Sequence, residues 1–459
     1  MALAEAPPAH AGWETVRGFG GGAGTAAWLV RPTVEDEVRA AVTGPGAAGS
    51  PGAASGLIAR GLGRSYGDAA QLAGGCVLDM TAMDAFELDA TGGLVTASAG
   101  ASIGALLRRV LPAGWMLPVV PGTQHVTVGG AIASDVHGKN HPSAGSFGAH
   151  VRALGLLTAG GEVHELEPGG ERFEATVGGM GLTGVILWAR IALEPVGSQF
   201  LAVDTTRVRC LDDALALLRP DAAARHRVAW LDLLGPRPGR GILTSSEHMG
   251  EPSPSPRPPG AAPLTVPERW PAGLLRAGTV RALNELRYRR APRGERGRPQ
   301  PLTTHMFPLD SLEAWPRLYG PAGLLQYQFA VPHGEEPTLE AVISGLGRAR
   351  VPCFLATLKA LGEAPGGPLS FPLAGWTLAL DLPAAAAGVG RMLDAFDELV
   401  AEAGGRVYLT KDARLRPEAL RAMYPRLAQW QRVRDAIDPD RLWRSDLSRR
   451  TGLTTADGR

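Results

Sequence analysis

The sequence predicts an α+β protein of two domains, and three observations predict it. The chain has 459 residues, more than one ordinary hydrophobic core encloses. Up to about residue 195 short strand-like runs alternate with short helices. Beyond about residue 196 the composition shifts, and long alternating runs read as strands of a second sheet.

The elements follow in order. Thr33, Val34, Glu35 and Asp36 open a helix with a pattern like a capping box, and Val38 and Val42 follow at helical spacing. Residues 57–59 (LIA) read as a strand entering a glycine-rich loop, and 76–80 and 94–97 as further strands. Residues 102–111 form a short amphipathic helix. Residues 151–158, the pair Gly160 and Gly161, and residues 162–166 read as strand, turn and strand. Residues 184–193 are an apolar strand closed by Glu194 and Pro195. In the second part, EPSPSPRPPGAAP (251–263) continues neither helix nor central strand and reads as a mobile loop. Residues 281–298 hold seven arginines; they read as a solvated basic segment or as a contact to phosphate or an anionic membrane surface. Residues 324–331 and 376–381 alternate like strands, and residues 391–403 form a helix ending at Gly404 and Gly405.

Composition excludes several classes. Hydrophobic residues are 45%, charged residues 20% and the net charge is +1, a soluble balance without the basic face that nucleic acid requires. Cys76, Cys210 and Cys353 lie far apart with no ligand spacing, so neither a disulfide framework nor a zinc site is expected. Residues 1–12 lack a basic region followed by an apolar run, so no secretory signal is expected. The longest uncharged stretch, 110–134, contains three prolines and does not read as a membrane span. The chain is expected in the cytoplasm or peripherally on a membrane, on the cytoplasmic or periplasmic face.

Lysine occurs only three times, at Lys139, Lys359 and Lys411, among 46 Lys and Arg residues. A lysine here is a candidate for work arginine cannot do: a compact charge, or an amine whose pKa falls on burial. A leftover of coding bias is the alternative.

Two glycine-rich stretches carry the strongest chemical signal. The first, RGLGRSYGD, directly follows a strand and comprises Arg60, Gly61, Leu62, Gly63, Arg64, Ser65, Tyr66, Gly67 and Asp68. The second runs from Gly122 and Thr123 through Thr127, Val128, Gly129 and Gly130 to Ser134. Glycines let backbone N–H groups converge on a pyrophosphate. Neither stretch has GxGxxG spacing, which argues against a nicotinamide-type fold. With RPTVEDEV (31–38) and VGGMGLTGVI (177–186), these loops stand in the order found in the vanillyl-alcohol-oxidase family of flavoproteins, which the chain resembles.

That resemblance implies FAD held between two small α/β subdomains, with the substrate bound by a second domain built on an antiparallel sheet. It places the FAD-binding domain at 13–195 and the substrate domain at 196–405, with a mobile loop at about 250–300, and a segment at 406–459 returning to the first domain. FAD contacts are implied for Ala59 and each residue of RGLGRSYGD, for Gly122, Thr123, Thr127, Val128, Gly129 and Gly130, and for Ser134, Asp135, Val136, His137, Ile186 and Tyr408. Arg64 stands where relatives that tether FAD covalently have histidine. A guanidinium is permanently protonated and no nucleophile, so the FAD is expected to be non-covalent.

DVHGKNH (135–141) is a polar run in apolar surroundings. Gly138 and Pro142 break the helix that two histidine ligands would need, so no metal is expected. With YGPAGLLQYQF (319–329), PLSFPLAGW (368–376) and YLTKDAR (408–414), it resembles one group of that family, the decaprenylphosphoryl-ribose 2-oxidases. Lys139 and Lys411 fall inside these segments, and Lys359 falls inside LKALG (358–362), which matches as well. The group oxidises the ribose 2-hydroxyl of a polyprenyl-phosphate sugar to a ketone; a short-chain reductase then completes epimerisation to arabinose for the cell wall. The resemblance assigns chemistry to Lys411, His137 and Tyr66, and substrate contact to Lys139, Gln326, Gln328 and Lys359. Thr377, Ala379 and Met306 also fall on the substrate side. There the group has asparagine, cysteine and tyrosine, so a paralogue acting on a different polyprenyl-phosphate sugar, a soluble sugar or an alditol fits the same motifs. A non-catalytic flavin- or lipid-binding partner protein is the third reading, against which the intact His137, Lys139 and Lys411 weigh.

Overall fold

The computed structural model describes residues 11–44, 55–219, 224–235, 238–250, 264–268, 275–363 and 366–454. Three sheets organise it. The first has four strands in the order Ala11–Val16, Thr25–Val30, Cys76–Asp79, Leu57–Arg60, an antiparallel hairpin continued by parallel pairs. The second has five antiparallel strands in the order Phe86–Asp89, Leu94–Ser98, Val185–Ala192, Val151–Leu157, Val163–Leu166. Apolar side chains of both sheets, among them Leu57, Leu78, Leu157 and Val185, share one buried core with Trp443.

The third sheet has eight antiparallel strands in the order Gly294–Pro301, Phe200–Val208, Arg240–His248, His226–Asp232, Ala356–Leu361, Gly375–Pro383, Leu324–Pro332, Arg406–Val407. The helices Leu211–Leu218, Glu336–Ala349 and Val389–Glu402 place their buried residues in a core shared with it. The chain then returns to the first sheet. Leu57 donates to the Leu442 carbonyl, Arg444 donates to that of Leu57, and Arg450 pairs with both Asp68 (2.8 Å) and Asp412 (2.9 Å).

Local sequence explains the elements nearest the site. In the first helix, Glu35–Thr43, Thr33 donates its N–H and its hydroxyl to Glu37. Ser102 caps the helix Ile103–Val110 by accepting from the Ala105 N–H. Thr127 caps Val128–Ala133 in the same way through Gly130. The helix Val389–Glu402 ends before Gly404, whose φ of +67° suits glycine.

The stretch expected as a mobile loop at about 250–300 is not a loop throughout, and its basic segment lies in regular structure. It is a helix, Ala277–Arg290, followed by the edge strand Gly294–Pro301, which pairs with Phe200–Val208. Val280 and Asn284 are buried anchors, and Asn284 donates to the buried Asp232 carboxylate. The arginines hide this helix from a periodicity reading because they occupy nearly every exposed turn. The expected loop at 251–263 lies outside the described residues. Among the described residues no helix is long and apolar enough to cross a membrane.

Candidate active site

A cavity of about 700 Å³ lies between the glycine-rich loops and one face of the eight-stranded sheet. Its first wall is mostly backbone. Ala59, Arg60 and residues 61–66 line it, opposite Gly122, Thr123, Thr127, Gly129 and Gly130. The two loops interlock: a Cβ on Gly61 would overlap the Thr127 side chain. The N–H groups of residues 61–65, and those of Gly122 and Thr123, find no acceptor among the described residues. Unpaired N–H groups on glycine-rich turns are what a pyrophosphate needs. Arg60 braces this loop by donating to the Ala70 and Arg17 carbonyls. The Arg64 guanidinium lies 4.7 Å over the Phe19 ring, with its Nε buried and unpartnered. This wall fits FAD, which the two loops would hold.

The second wall carries side chains. Strands have period two, so Gln326 and Gln328 share a face, and the sheet register sets them opposite Asp381 and Ala379. Lys359 lies opposite Thr377. The Gln328 amide nitrogen donates to Thr377 Oγ1 (3.1 Å) and to His137 Nε2 (3.0 Å). The His137 proton is therefore on Nδ1, which is buried and has no hydrogen-bond partner among the described residues. Burial, then the Lys359 charge, holds His137 well below the usual imidazole range. It is a neutral hydrogen-bond donor.

All three lysines line this cavity. Lys139 donates to the His305 carbonyl at 2.5 Å, and Lys359 lies 3.5 Å from that of Gly138. Lys411 Nζ sits 4.1 Å over the Tyr66 ring and makes no hydrogen bond or ion pair with the described residues. Burial lowers Lys139 to about 7 and Lys359 to about 8. It lowers Lys411 too, partly opposed by the Asp381 charge. No carboxylate lies within salt-bridge distance of the three among the described residues, so no ion pair offsets the positive charge they carry when protonated.

Most of the expected residues meet here. Met306, Ala379, Ser134, Val136, Ile186 and Tyr408 also line the cavity. Five expected residues do not. Thr377 is fully buried and donates to the Phe329 carbonyl; it orients Gln328 from behind. Val128 is packed in the core beneath the second loop. Gly67 lies against the Asp412 carbonyl, and Asp68 pairs with Arg450. Asp135, at φ +40°, is buried and accepts from Ser370 and the Gly148 N–H. These last four shape the loops rather than face a ligand.

Sequence reasoning missed two features. One is an apolar extension of the cavity formed by Val228, Trp230, Ile242 and Phe354, with the Arg287 guanidinium 4.4 Å over the Trp230 ring. Its available signal is the alternation that sets Val228 and Trp230 on one face of strand His226–Asp232, and Ile242 and Thr244 on one face of strand Arg240–His248. The other is Asp381, a charged residue on the inward face of the apolar run WTLALDL.

Comparison with known proteins agrees with this architecture. Residues 26–167 match the family described as FAD binding domain, and residues 382–451 match D-arabinono-1,4-lactone oxidase. The chain is 42% identical over 415 residues to decaprenylphosphoryl-beta-D-ribose oxidase of Mycolicibacterium smegmatis, covering 87% of this chain and 89% of that one. It is 41% identical to an uncharacterized protein in the mprA 5′ region of Streptomyces coelicolor, covering 76% of this chain and 99% of that one. It is 32% identical to an alditol oxidase of Streptomyces sp. over 122 residues, 26% of this chain and 29% of that one. The chain is therefore an FAD-dependent oxidoreductase of the vanillyl-alcohol-oxidase type and belongs to the family of decaprenylphosphoryl-β-D-ribose oxidase.

Proposed function

We propose that this enzyme oxidises the 2-hydroxyl of a polyprenyl-phosphoryl ribose to the 2-keto sugar. The observation that carries the reading is the convergence of all the chain's lysines, with no ion pair among the described residues, on one cavity with an apolar extension. An anionic, lipid-linked sugar matches both. The 42% identity to an oxidase so named supports it.

An alcohol yields hydride only as its O–H proton departs, and positive charge near the developing oxyanion lowers that barrier. Bound FAD supplies the hydride acceptor. Lys411 faces the reacting hydroxyl, with Tyr66 beneath its ammonium. Gln326 and Gln328 orient the sugar, and Lys139 and Lys359 meet the phosphate. The wall at Val228, Trp230 and Ile242 receives the first prenyl units, and Met306 and Ala379 shape the space around the sugar. His137 supplies an Nδ1–H donor to the flavin side. The ketone then passes to a short-chain reductase, which completes the epimerisation for cell-wall arabinan, and a peripheral position at the membrane gives access to the lipid.

The test is anaerobic mixing of the purified protein with polyprenyl-phosphoryl ribose and, separately, with free pentoses and alditols, following flavin absorbance. Bleaching by the lipid-linked ribose is expected. A second reading, oxidation of a soluble sugar or alditol, is favoured by the 32% identity to an alditol oxidase and by Met306 and Ala379; bleaching by free alditol alone would establish it. No covalent bond joins the FAD to residues 60–68. Acid precipitation should leave the flavin in the supernatant, and a yellow pellet would refute this.

A further inference from the structure

Asp381 is 1% exposed and does not line the cavity. It stands directly behind the residues that do. Its Oδ1 accepts from Gln326 Nε2 at 2.5 Å, while its Oδ2 is buried and has no hydrogen-bond partner among the described residues. Its hydrogen-bond partner and the titratable groups on which its charge acts come from five separate elements. They are Gln326 on strand Leu324–Pro332, Tyr66 on the first glycine loop, Tyr319 with a buried, unpartnered hydroxyl, the Cys353 thiol, and Lys411. Lys411 is the only cationic group among them, and Asp381 is the carboxylate that acts on it. The other charged or titratable groups acting on Lys411 and its neighbourhood are Lys359 and His137; Tyr66 lies under it.

A buried carboxylate with one hydrogen bond is costly unless a nearby charge compensates it. Stability does not account for its place, because an apolar residue would complete the strand at lower cost. We infer that Asp381 is a positioning residue: it fixes the Gln326 amide and keeps Lys411 charged at the reacting hydroxyl. Burial pushes the two groups toward neutrality from opposite sides, Asp381 upward and Lys411 downward, and each charge opposes the other's shift. Without the carboxylate, burial and Lys359 act on Lys411 unopposed, and the amine is neutral to lower pH. The inference requires Lys411 to work at this site but not that the substrate be a lipid-linked ribose.

The scarcity of lysine makes the test direct. Competitive acetylation of the holoenzyme across a pH series, read by mass spectrometry, reports three separate midpoints without any substrate. In Asp381→Asn the Lys411 midpoint should move acid by about one pH unit, with Lys139 and Lys359 as internal references. Asp381→Glu should restore it in part. The pH at which substrate bleaches the flavin should move in the same direction. A Lys411 midpoint unchanged in Asp381→Asn overturns the inference. If Asp381→Asn does not fold, lysine-labelled wild-type protein decides by NMR. Coupling predicts two inflections in the Lys411 titration, and a single inflection overturns the inference. Because no sugar is present, failure here is distinct from failure of the proposed substrate.

Discussion

The two walls of the cavity recognise in opposite ways. The loop wall offers backbone N–H groups at residues 61–65 and bends on glycines. The sheet wall offers Lys139, Lys359, Lys411, Gln326 and Gln328 on rigid strands and the segments beside them. A pyrophosphate is bound by many weak dipoles that cost little to preorganise. An alcohol being oxidised needs a few strong charges whose burial is expensive. Cofactor retention and chemistry therefore depend on different residues and should separate experimentally.

The largest separation comes from Lys411→Met. Its ammonium makes no hydrogen bond or ion pair with the described residues, and Asp381, left without that charge, can take up a proton, so the protein should still fold and retain FAD. Substrate-driven flavin bleaching should slow at least about 100-fold, the scale of losing one preorganised charge at a reacting oxygen. Normal bleaching would remove Lys411 from the chemistry and break the division between the walls.

Gly67→Ala attacks the joint between them. A Cβ there would overlap the Asp412 carbonyl, one residue beyond Lys411, and backbone cannot step aside cheaply. FAD retention after gel filtration and the thermal midpoint should both fall, the latter by several degrees for about 1–3 kcal/mol of strain. Loss of one without the other would mean that the joint is looser than the contact implies.

The sheet wall also makes stability depend on pH. Burial depresses Lys139 to about 7, whereas an unfolded lysine titrates near about 10.4. Between those values the unfolded chain binds a proton that the folded chain does not. Stability from this group therefore rises with pH across that window and is least below about 7. The thermal midpoint of substrate-free Lys139→Met should show a flatter rise than the wild type across that window. An equal slope would mean that Lys139 reaches solvent.

How far each wall could be read from sequence follows the same division. Glycine loops are legible because bound dinucleotides constrain consecutive residues: RGLGRSYGD and its companion both reach the cavity. Within them, sequence could not distinguish facing residues from supporting ones. Val128, Asp68 and Asp135 sit in the same runs but point into core, ion pair and turn. The sheet wall brings together residues as distant in sequence as His137, Lys359 and Lys411, and the long-range register that does so is invisible locally. The lysines stand out because they are rare. Asp381 escapes notice because one aspartate in an apolar strand looks like a surface position until its neighbour across the register, Gln326, is known. Strands Phe200–Val208 and Gly294–Pro301 are hidden because alternation with arginine, threonine and proline masks an edge pair.

The smallest expected effect on turnover, and the finest probe of the sheet wall, is Ala379→Cys. Ala379 lines the cavity and lies opposite Gln328 and Thr357 in register. One sulfur atom at that position is not needed for hydride transfer, so turnover should change less than about twofold, well below one kcal/mol. The introduced thiol would, however, share a face with Gln328 and sit in the cavity that holds Lys359 and Lys411, where positive charge favours thiolate. Burial raises two of the three native thiols instead, Cys76 to about 12 and Cys353 further. A maleimide at neutral pH should therefore modify the introduced thiol faster than Cys76 or Cys353, and saturating substrate should protect it. Slow labelling with normal turnover would show that the lysine charges do not reach this strand position, and would confine the electrostatic half of the comparison to the immediate surroundings of Lys411.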